Sequence, residues 1–336
     1  MGTARAAGRV RLGSRTDVEV TELGLGLAPI GGLYRAVGDR SAIATVDRAW
    51  EHGIRFFDTA PLYGYGLSEQ RAGHALAGRP RAGFTLSTKV GLLLEPGGPD
   101  TQEGWPEGEL TGVAPRFDFS YRGTHRALEQ SLARLGTDHV EILHIHDADR
   151  HYQQAMAGSY RALAELRAAG VVRAISVGLT QAPLLARFAE AATDPPFDCV
   201  LVGGRYTLLD QSALDELLPL CADRRITVIA GGVYNSGVLA APVAGAHFHY
   251  EPATDAVLAR ARAVEAVCGR YGVPLRAAAL QFPLGHPAVR SVLVGARSPE
   301  QVDDSVAMFE LPVPGALWAD LKGAGLLPEH APTPQH

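Results

Sequence analysis

Asp58, Tyr63, Lys89 and His146 are the residues of this sequence whose types and spacing could carry chemistry. Asp58 lies at the end of the apolar run FFDTA, Lys89 near the end of FTLSTKVG and His146 near the end of VEILHIHD. Tyr63 follows Asp58 by five residues, across a short turn-like stretch. Side chains alternate faces along a strand. On that alternation Phe56 pairs with Asp58, Thr85 and Ser87 with Lys89, and Ile142 and His144 with His146. If the runs are neighbouring strands, the polar ends meet at one edge, with Tyr63 on the turn beside them. Such a set supports proton transfer coupled to hydride transfer. A tyrosine has a reference pKa of about 10. A nearby ammonium favours the phenolate and is expected to lower that value. A carboxylate neutralises and orients the ammonium, and a histidine polarises a substrate oxygen by hydrogen bonding.

Plainer roles also fit. Asp58 reads as a turn carboxylate and Tyr63 as a loop aromatic. Lys89 resists such a reading, because an unpaired inward ammonium is costly. It is one of only two lysines, the other being Lys322 in a polar C-terminal segment. His144 points the same way as His146 but one layer deeper, and reads as a hydrogen-bonded core histidine. Tyr65 reads as a packing or rim residue.

The elements that must position these groups are eight short β-rich runs: LGLGLAPIGG, FFDTA, FTLSTKVG, VEILHIHD, RAISVGL, DCVLVGGRY, TVIAGGV and SVLVGAR. Helical patterns with apolar spacing of three and four lie between them, as in SAIATVDRAWEHG and THRALEQSLARLG. Strand–helix alternation implies parallel pairing through right-handed crossovers. Eight such units predict an α/β fold of the (β/α)8 TIM-barrel kind. The expected domain is single, residues 1–336, with flexible tails at about 1–8 and 328–336. A short N-terminal β-hairpin from RVRLGSRTDVEVTELG is expected to plug the barrel bottom. An open doubly wound sheet is the competing architecture, but the GxGxxG it calls for is missing after the first strand. Residues 92–119, with Trp105, and 234–252, with His247, His249 and Tyr250, are long loops following strands. Both are expected at the C-terminal face, where barrel active sites form.

The chain has 336 residues, 46% hydrophobic and 20% charged, with a formal net charge of -5. This is globular composition. No basic stripe points to nucleic acid and no polybasic patch to a membrane surface. Residues 1–13 lack the apolar core of a signal peptide. Cys199, Cys221 and Cys268 make neither a disulfide framework nor a metal knuckle. A cytoplasmic protein acting on a small molecule is expected.

The stretch DTAPLYGYGLSE, the lysine in STKVG and the histidine in ILHIHD resemble the signature of the aldo-keto reductase superfamily. GRYTLLDQSALDELLPLC, YNSGVLA, LQFPLGHPAV and GARSPEQV are similar to its D-threo-aldose 1-dehydrogenase (L-fucose dehydrogenase) branch, close to pyridoxal 4-dehydrogenase. The resemblance implies a catalytic tetrad of Asp58, Tyr63, Lys89 and His146, with Tyr63 as general acid/base. It implies NADP as cofactor, NAD being possible, bound across the barrel mouth. The positions implied for cofactor contact are Thr180, Gln181, Tyr234, Ser236, Gly295, Arg297, Ser298, Gln301 and Ser305, with Arg297 and Ser298 toward a 2′-phosphate. Tyr63, Trp105 and His146 are expected to meet the substrate. The chain departs from the pattern at Thr180 and Gln181, at Gly203, where many members have Gln, at Gly231 or Gly232, where a tyrosine is common, and at Ser305.

The implied activity is NAD(P)-dependent interconversion of an aldose and its lactone, or of a related alcohol and carbonyl. Two alternatives stay open on the residues. His144 and His146 form a His-x-His at a strand end, as in metal-dependent barrel hydrolases, with His247 and His249 as further nitrogen donors. A cofactor-binding barrel with little turnover is the other.

Overall fold

The computed structural model describes residues 4–97 and 112–335. Each of the eight β-rich runs contributes one strand to a closed barrel: β1 (Leu23–Gly26), β2 (Phe56–Asp58), β3 (Thr85–Val90), β4 (Ile142–His146), β5 (Ala174–Leu179), β6 (Cys199–Gly203), β7 (Thr227–Gly231) and β8 (Val289–Gly295). Each strand pairs in parallel with the next, and β8 pairs with β1 to complete the ring. Closure leaves no exposed sheet edge. The open-sheet alternative is excluded.

Helices follow the strands and cover the barrel. The first three are α1 (Asp39–Glu51), α2 (Leu67–Leu76) and α3 (Tyr121–Leu135). Local sequence sets their ends. Ser120 caps α3 by accepting a hydrogen bond from the Gly123 amide at 3.0 Å, and Gly136 ends it at φ 62°. A left-handed residue at that point costs glycine no Cβ clash. Thr254 likewise accepts from the Val257 amide to start the helix Asp255–Arg270.

The N-terminal hairpin is present, pairing Arg9–Arg11 with Glu19–Thr21. Leu12, Val18 and Val20 pack onto the inward side chains Phe56, Ile142, Ile229 and Leu293, so the floor of the barrel is apolar. Two inward hydroxyls pin the hairpin: Thr85 donates to the Glu19 carbonyl at 2.6 Å, and Ser291 to the Thr21 carbonyl at 2.7 Å. Gly24 makes this packing possible, because a Cβ there would lie 2.7 Å from both Leu293 and Phe56. Close-packed interiors have no slack for such an overlap.

The two long segments both sit at the strands' C-terminal ends. The first differs from the expected loop. Its arms, Leu92–Pro96 and Val113–Phe117, pair as an antiparallel ribbon and bury Leu92, Leu93 and Leu94. Trp105 lies outside the described residues. The second, residues 234–252, carries left-handed Asn235 and Ser236, and a short bridge of His247–Phe248 with Glu251–Pro252. Asn235 is buried, accepts a hydrogen bond from the Thr207 hydroxyl and donates to the Gly204 carbonyl at 3.0 Å, tying this loop to the one after β6. Of the expected tails, Ala6 and Ala331 are buried. Among the described residues no helix is long and apolar enough to cross a membrane.

Candidate active site

The mouth of the barrel, opposite the hairpin, gathers the polar strand ends. Asp58 is the last residue of β2, Lys89 the last but one of β3, and His146 the last of β4. The Lys89 ammonium donates to Asp58 Oδ2 at 2.6 Å and to the Thr59 carbonyl at 2.7 Å. Ser87 donates to the other carboxylate oxygen, Oδ1, at 2.6 Å. Both members of the ion pair are buried, Lys89 at 1% and Asp58 at 3% exposure. The charge that was hard to place in sequence is therefore fully partnered, as burial requires.

The GLSE segment explains how the pair is held. Ser68, near the start of α2, donates to the Leu27 carbonyl at 2.9 Å and shares a 2.8 Å hydrogen bond with Thr59. Glu69 beside it accepts from Thr88 of β3 and from Arg134 of α3, each at 2.6 Å. One turn of helix thus fixes the ends of β1, β2 and β3. His144 has the core role expected: it is buried, its Nδ1 shares a 2.8 Å hydrogen bond with Ser176, and its Nε2 lies 3.7 Å from Asp58.

Tyr63 turns back over the mouth. Its ring centre lies 4.8 Å from the Lys89 nitrogen and 6.0 Å from the His146 ring, which meets it edge-on. Burial pushes the Tyr63 phenol well above its ordinary pKa, and the negative charges of Asp58 and Asp147 push the same way. This corrects the sign expected from sequence. The Lys89 charge is neutralised by Asp58, so its pull on the phenolate does not offset the loss of solvent. Burial, assisted by the Lys89 charge, lowers His146 to about 3 and keeps the imidazole neutral. Burial raises Asp147, the next residue, to about 6, with Lys89 opposing.

A groove of about 410 Å³ starts at Asp58 and Tyr63 and runs to the segment after β8. Gly203, Gly231 and Gly295 wall its middle. Gly203 and Gly231 are paired across β6 and β7, and Leu201 lies one layer below, 3.5 Å from where a Cβ on Gly231 would be. The departures at Gly203 and Gly231 thus open space at the mouth. Of the positions expected to touch cofactor, Tyr234, Ser236, Gly295, Arg297, Gln301 and Ser305 border the groove. Thr180, Gln181 and Ser298 are not among its lining residues. The Thr180 carbonyl accepts from Arg205 at 3.0 Å. Gln181 and Ser298 are the exposed or half-exposed N-cap residues of the helices Ala182–Ala191 and Pro299–Glu310.

At the far end Arg276 grips Asp304 with two hydrogen bonds of 2.9 and 2.8 Å. The Arg297 Nε is buried and has no hydrogen-bond partner among the described residues. Its pKa is lowered by burial and by the neighbouring Arg35 charge. Sequence reasoning did not single out Tyr34 or Asp147, and it named Tyr250 only as part of a loop expected at the C-terminal face. Tyr34 stacks on His247 at 5.4 Å, and both Tyr34 and Tyr250 border the groove. His249 is engaged with Arg205 at 2.9 Å and Asp210 at 3.0 Å. The adjacency of Asp147 to His146 was the one usable signal; the left-handed backbone that aims Tyr250 has no sequence signature.

A closed parallel barrel with a phenol, a buried lysine–carboxylate pair and a neutral imidazole at the head of a long groove has the architecture of a barrel oxidoreductase. The chain belongs to the aldo/keto reductase family, whose model matches residues 22–325. It is a nicotinamide-dependent oxidoreductase. It is 41% identical over 335 residues to pyridoxal 4-dehydrogenase of Microbacterium luteolum, covering 93% of this chain and 96% of the relative. It is 39% identical over 320 residues to D-threo-aldose 1-dehydrogenase of a Pseudomonas species, covering 92% and 95%. Among solved structures, the holo form of aldo-keto reductase AKR11C1 from Bacillus halodurans superposes with a TM-score of 0.72 at 26% identity, over 96% of this chain and 99% of that one. The metal-hydrolase alternative has no support: the family is one of oxidoreductases.

Asp58→Asn keeps the shape of the pair and removes the charge that neutralises Lys89. Leaving one member of a buried pair uncompensated costs about 3–5 kcal/mol. The expected outcome is a lower denaturation midpoint, and, in the folded variant, a depressed kcat with the KM for cofactor little changed. Unchanged stability and unchanged kcat would make Asp58 an ordinary turn residue.

Proposed function

We propose that the chain oxidises the anomeric hydroxyl of an aldose hemiacetal to the lactone, the reverse reaction being reduction of a related carbonyl, with NADP as the favoured cofactor. The observation that carries this reading is the convergence of Tyr63, the Lys89–Asp58 pair and neutral His146 at the head of the groove. Two relatives at about 40% identity add the substrate class, being named for an aldose and for pyridoxal. Both substances form cyclic hemiacetals.

In this reading Tyr63, Lys89, Asp58 and His146 are the catalytic set. The substrate hydroxyl sits between the Tyr63 phenol and His146. Neutral His146 donates a hydrogen bond to that oxygen. An oxidised nicotinamide held in the groove would supply the hydride acceptor for the anomeric carbon; the hydroxyl proton passes to the Tyr63 phenolate. Lys89 is held by Asp58 where it can stabilise the phenolate as it forms. Tyr234, Ser236, Gly295, Gln301 and Ser305 line the space for the extended nucleotide. Arg297, with an unpartnered buried nitrogen and Arg35 beside it, suits a phosphate.

Because the Tyr63 pKa is raised, its phenol is protonated at neutral pH and suited to reduction, where it gives a proton. Oxidation needs the phenolate. The rate of oxidation is therefore expected to climb with pH through the alkaline range, while reduction falls. Tyr63→Phe is expected to lose about 10²–10⁴ in kcat on a good substrate, with cofactor binding retained. Steady-state assays of aldoses, pyridoxal and simple aldehydes with both cofactors test this. A flat oxidation profile, or a Tyr63→Phe variant within a few-fold of the parent, would remove Tyr63 from its role. For the cofactor, Arg297→Ala is expected to raise the KM for NADP+ at least tenfold more than that for NAD+, on the scale of one lost charged hydrogen bond. Equal effects on the two would show that Arg297 does not read the 2′-phosphate.

A further inference from the structure

Asp147 is the first residue past β4, and the proton-transfer set leaves it without a role. Its backbone is left-handed, φ 45°, a conformation few residues other than glycine adopt and that aspartate tolerates better than most. The Asp147 amide donates to the Gly178 carbonyl of β5 at 3.2 Å, which fixes that conformation. The result is that the carboxylate turns back over the mouth, with Oδ2 3.5 Å from His146 Nε2. Its side chain keeps 38% of its surface exposed, against 13% for His146. Its charge acts on both Tyr63 and Tyr250, so it lies near both rings.

A donor and an acceptor 3.5 Å apart, side by side at a mouth, match two hydroxyls on adjacent carbons. His146 takes the reacting oxygen, and Asp147 is left facing its neighbour. We propose that Asp147 is a specificity-determining residue that accepts a hydrogen bond from the hydroxyl on the carbon next to the reacting one, so that the site selects vicinally hydroxylated substrates. The inference rests on the proposed function for its orientation of the substrate, and it extends that reading from reaction type to substrate pattern. A carboxylate at the mouth also loses its hydration when substrate covers it. An analogue lacking the adjacent hydroxyl leaves it unpaired, and sites built on such a hydrogen bond reject such analogues strongly.

The test compares substrate pairs that differ only in that hydroxyl: an aldose with its 2-deoxy analogue in oxidation, and glycolaldehyde with acetaldehyde in reduction. The parent is expected to prefer the hydroxylated member by roughly 10²-fold in kcat/KM. Asp147→Gly suits the left-handed backbone and removes the carboxylate. It is expected to bring each pair to within a few-fold, by loss on the hydroxylated member and gain on the member that lacks the hydroxyl. Asp147→Asn, which keeps a neutral acceptor, falls between. Loss on both members alike would show a merely structural residue and overturn the proposal, as would a parent with no preference in either pair. Absence of aldose turnover together with an Asp147-dependent preference for glycolaldehyde would sink the aldose reading and leave Asp147 in its role.

Discussion

An ammonium inside a barrel must be neutralised where it stands, and the mouth of this barrel is organised around that constraint. Lys89 is nearly inaccessible, and Asp58 is the carboxylate that compensates it, at 2.6 Å. The arrangement needs the ends of β2 and β3 in fixed register, which α2 supplies through Ser68 and Glu69. It needs Ser87 inside, because the second carboxylate oxygen would otherwise be buried without a donor. It also needs a dry floor, which the hairpin provides by packing Leu12, Val18 and Val20 under Phe56. A buried pair of this kind contributes little net stability by itself. What it provides is a fixed positive charge 4.8 Å from the Tyr63 ring.

The same burial that makes the pair necessary decides the protonation of its neighbours. Tyr63 is driven toward the neutral phenol, and His146 toward the neutral imidazole. Together they present two neutral hydrogen-bond donors to one small space, with a carboxylate, Asp147, beside them. In the facing wall of the groove, Gly203 and Gly231 leave open the space that larger residues would fill. Chemistry on one side and emptied space on the other is the division that a substrate and an extended nucleotide require.

Much of this was legible in the sequence. The eight strands were readable because each apolar run is short and bounded. The inward placement of Asp58, Lys89 and His146 followed because the outer face of a barrel strand must be apolar. The motifs carrying the family resemblance covered most of the chain. The illegible parts have physical causes. The ribbon of Leu92–Pro96 with Val113–Phe117 is a non-local pairing that no local pattern encodes. Gln181 and Ser298 are helix N-caps, whose side-chain direction depends on cap geometry rather than on strand alternation. Asp147 and Tyr250 are aimed by left-handed backbone, which neither residue type announces. The sign of the Tyr63 shift depended on which group takes the Lys89 charge, and on burial, and both are properties of the assembled mouth.

The central claim is that burial, rather than the lysine, governs the Tyr63 proton in the free protein. Tyrosine labelled with ¹³C at the ring carbon bearing the hydroxyl reports that proton directly by NMR, and Tyr63→Phe assigns its resonance. The account predicts that the Tyr63 signal keeps the chemical shift of a neutral phenol up to and beyond about pH 10, the reference value, while exposed tyrosines titrate. A Tyr63 signal that moves to the phenolate position well below that pH would contradict it, and would show that the Lys89 charge outweighs the loss of solvent.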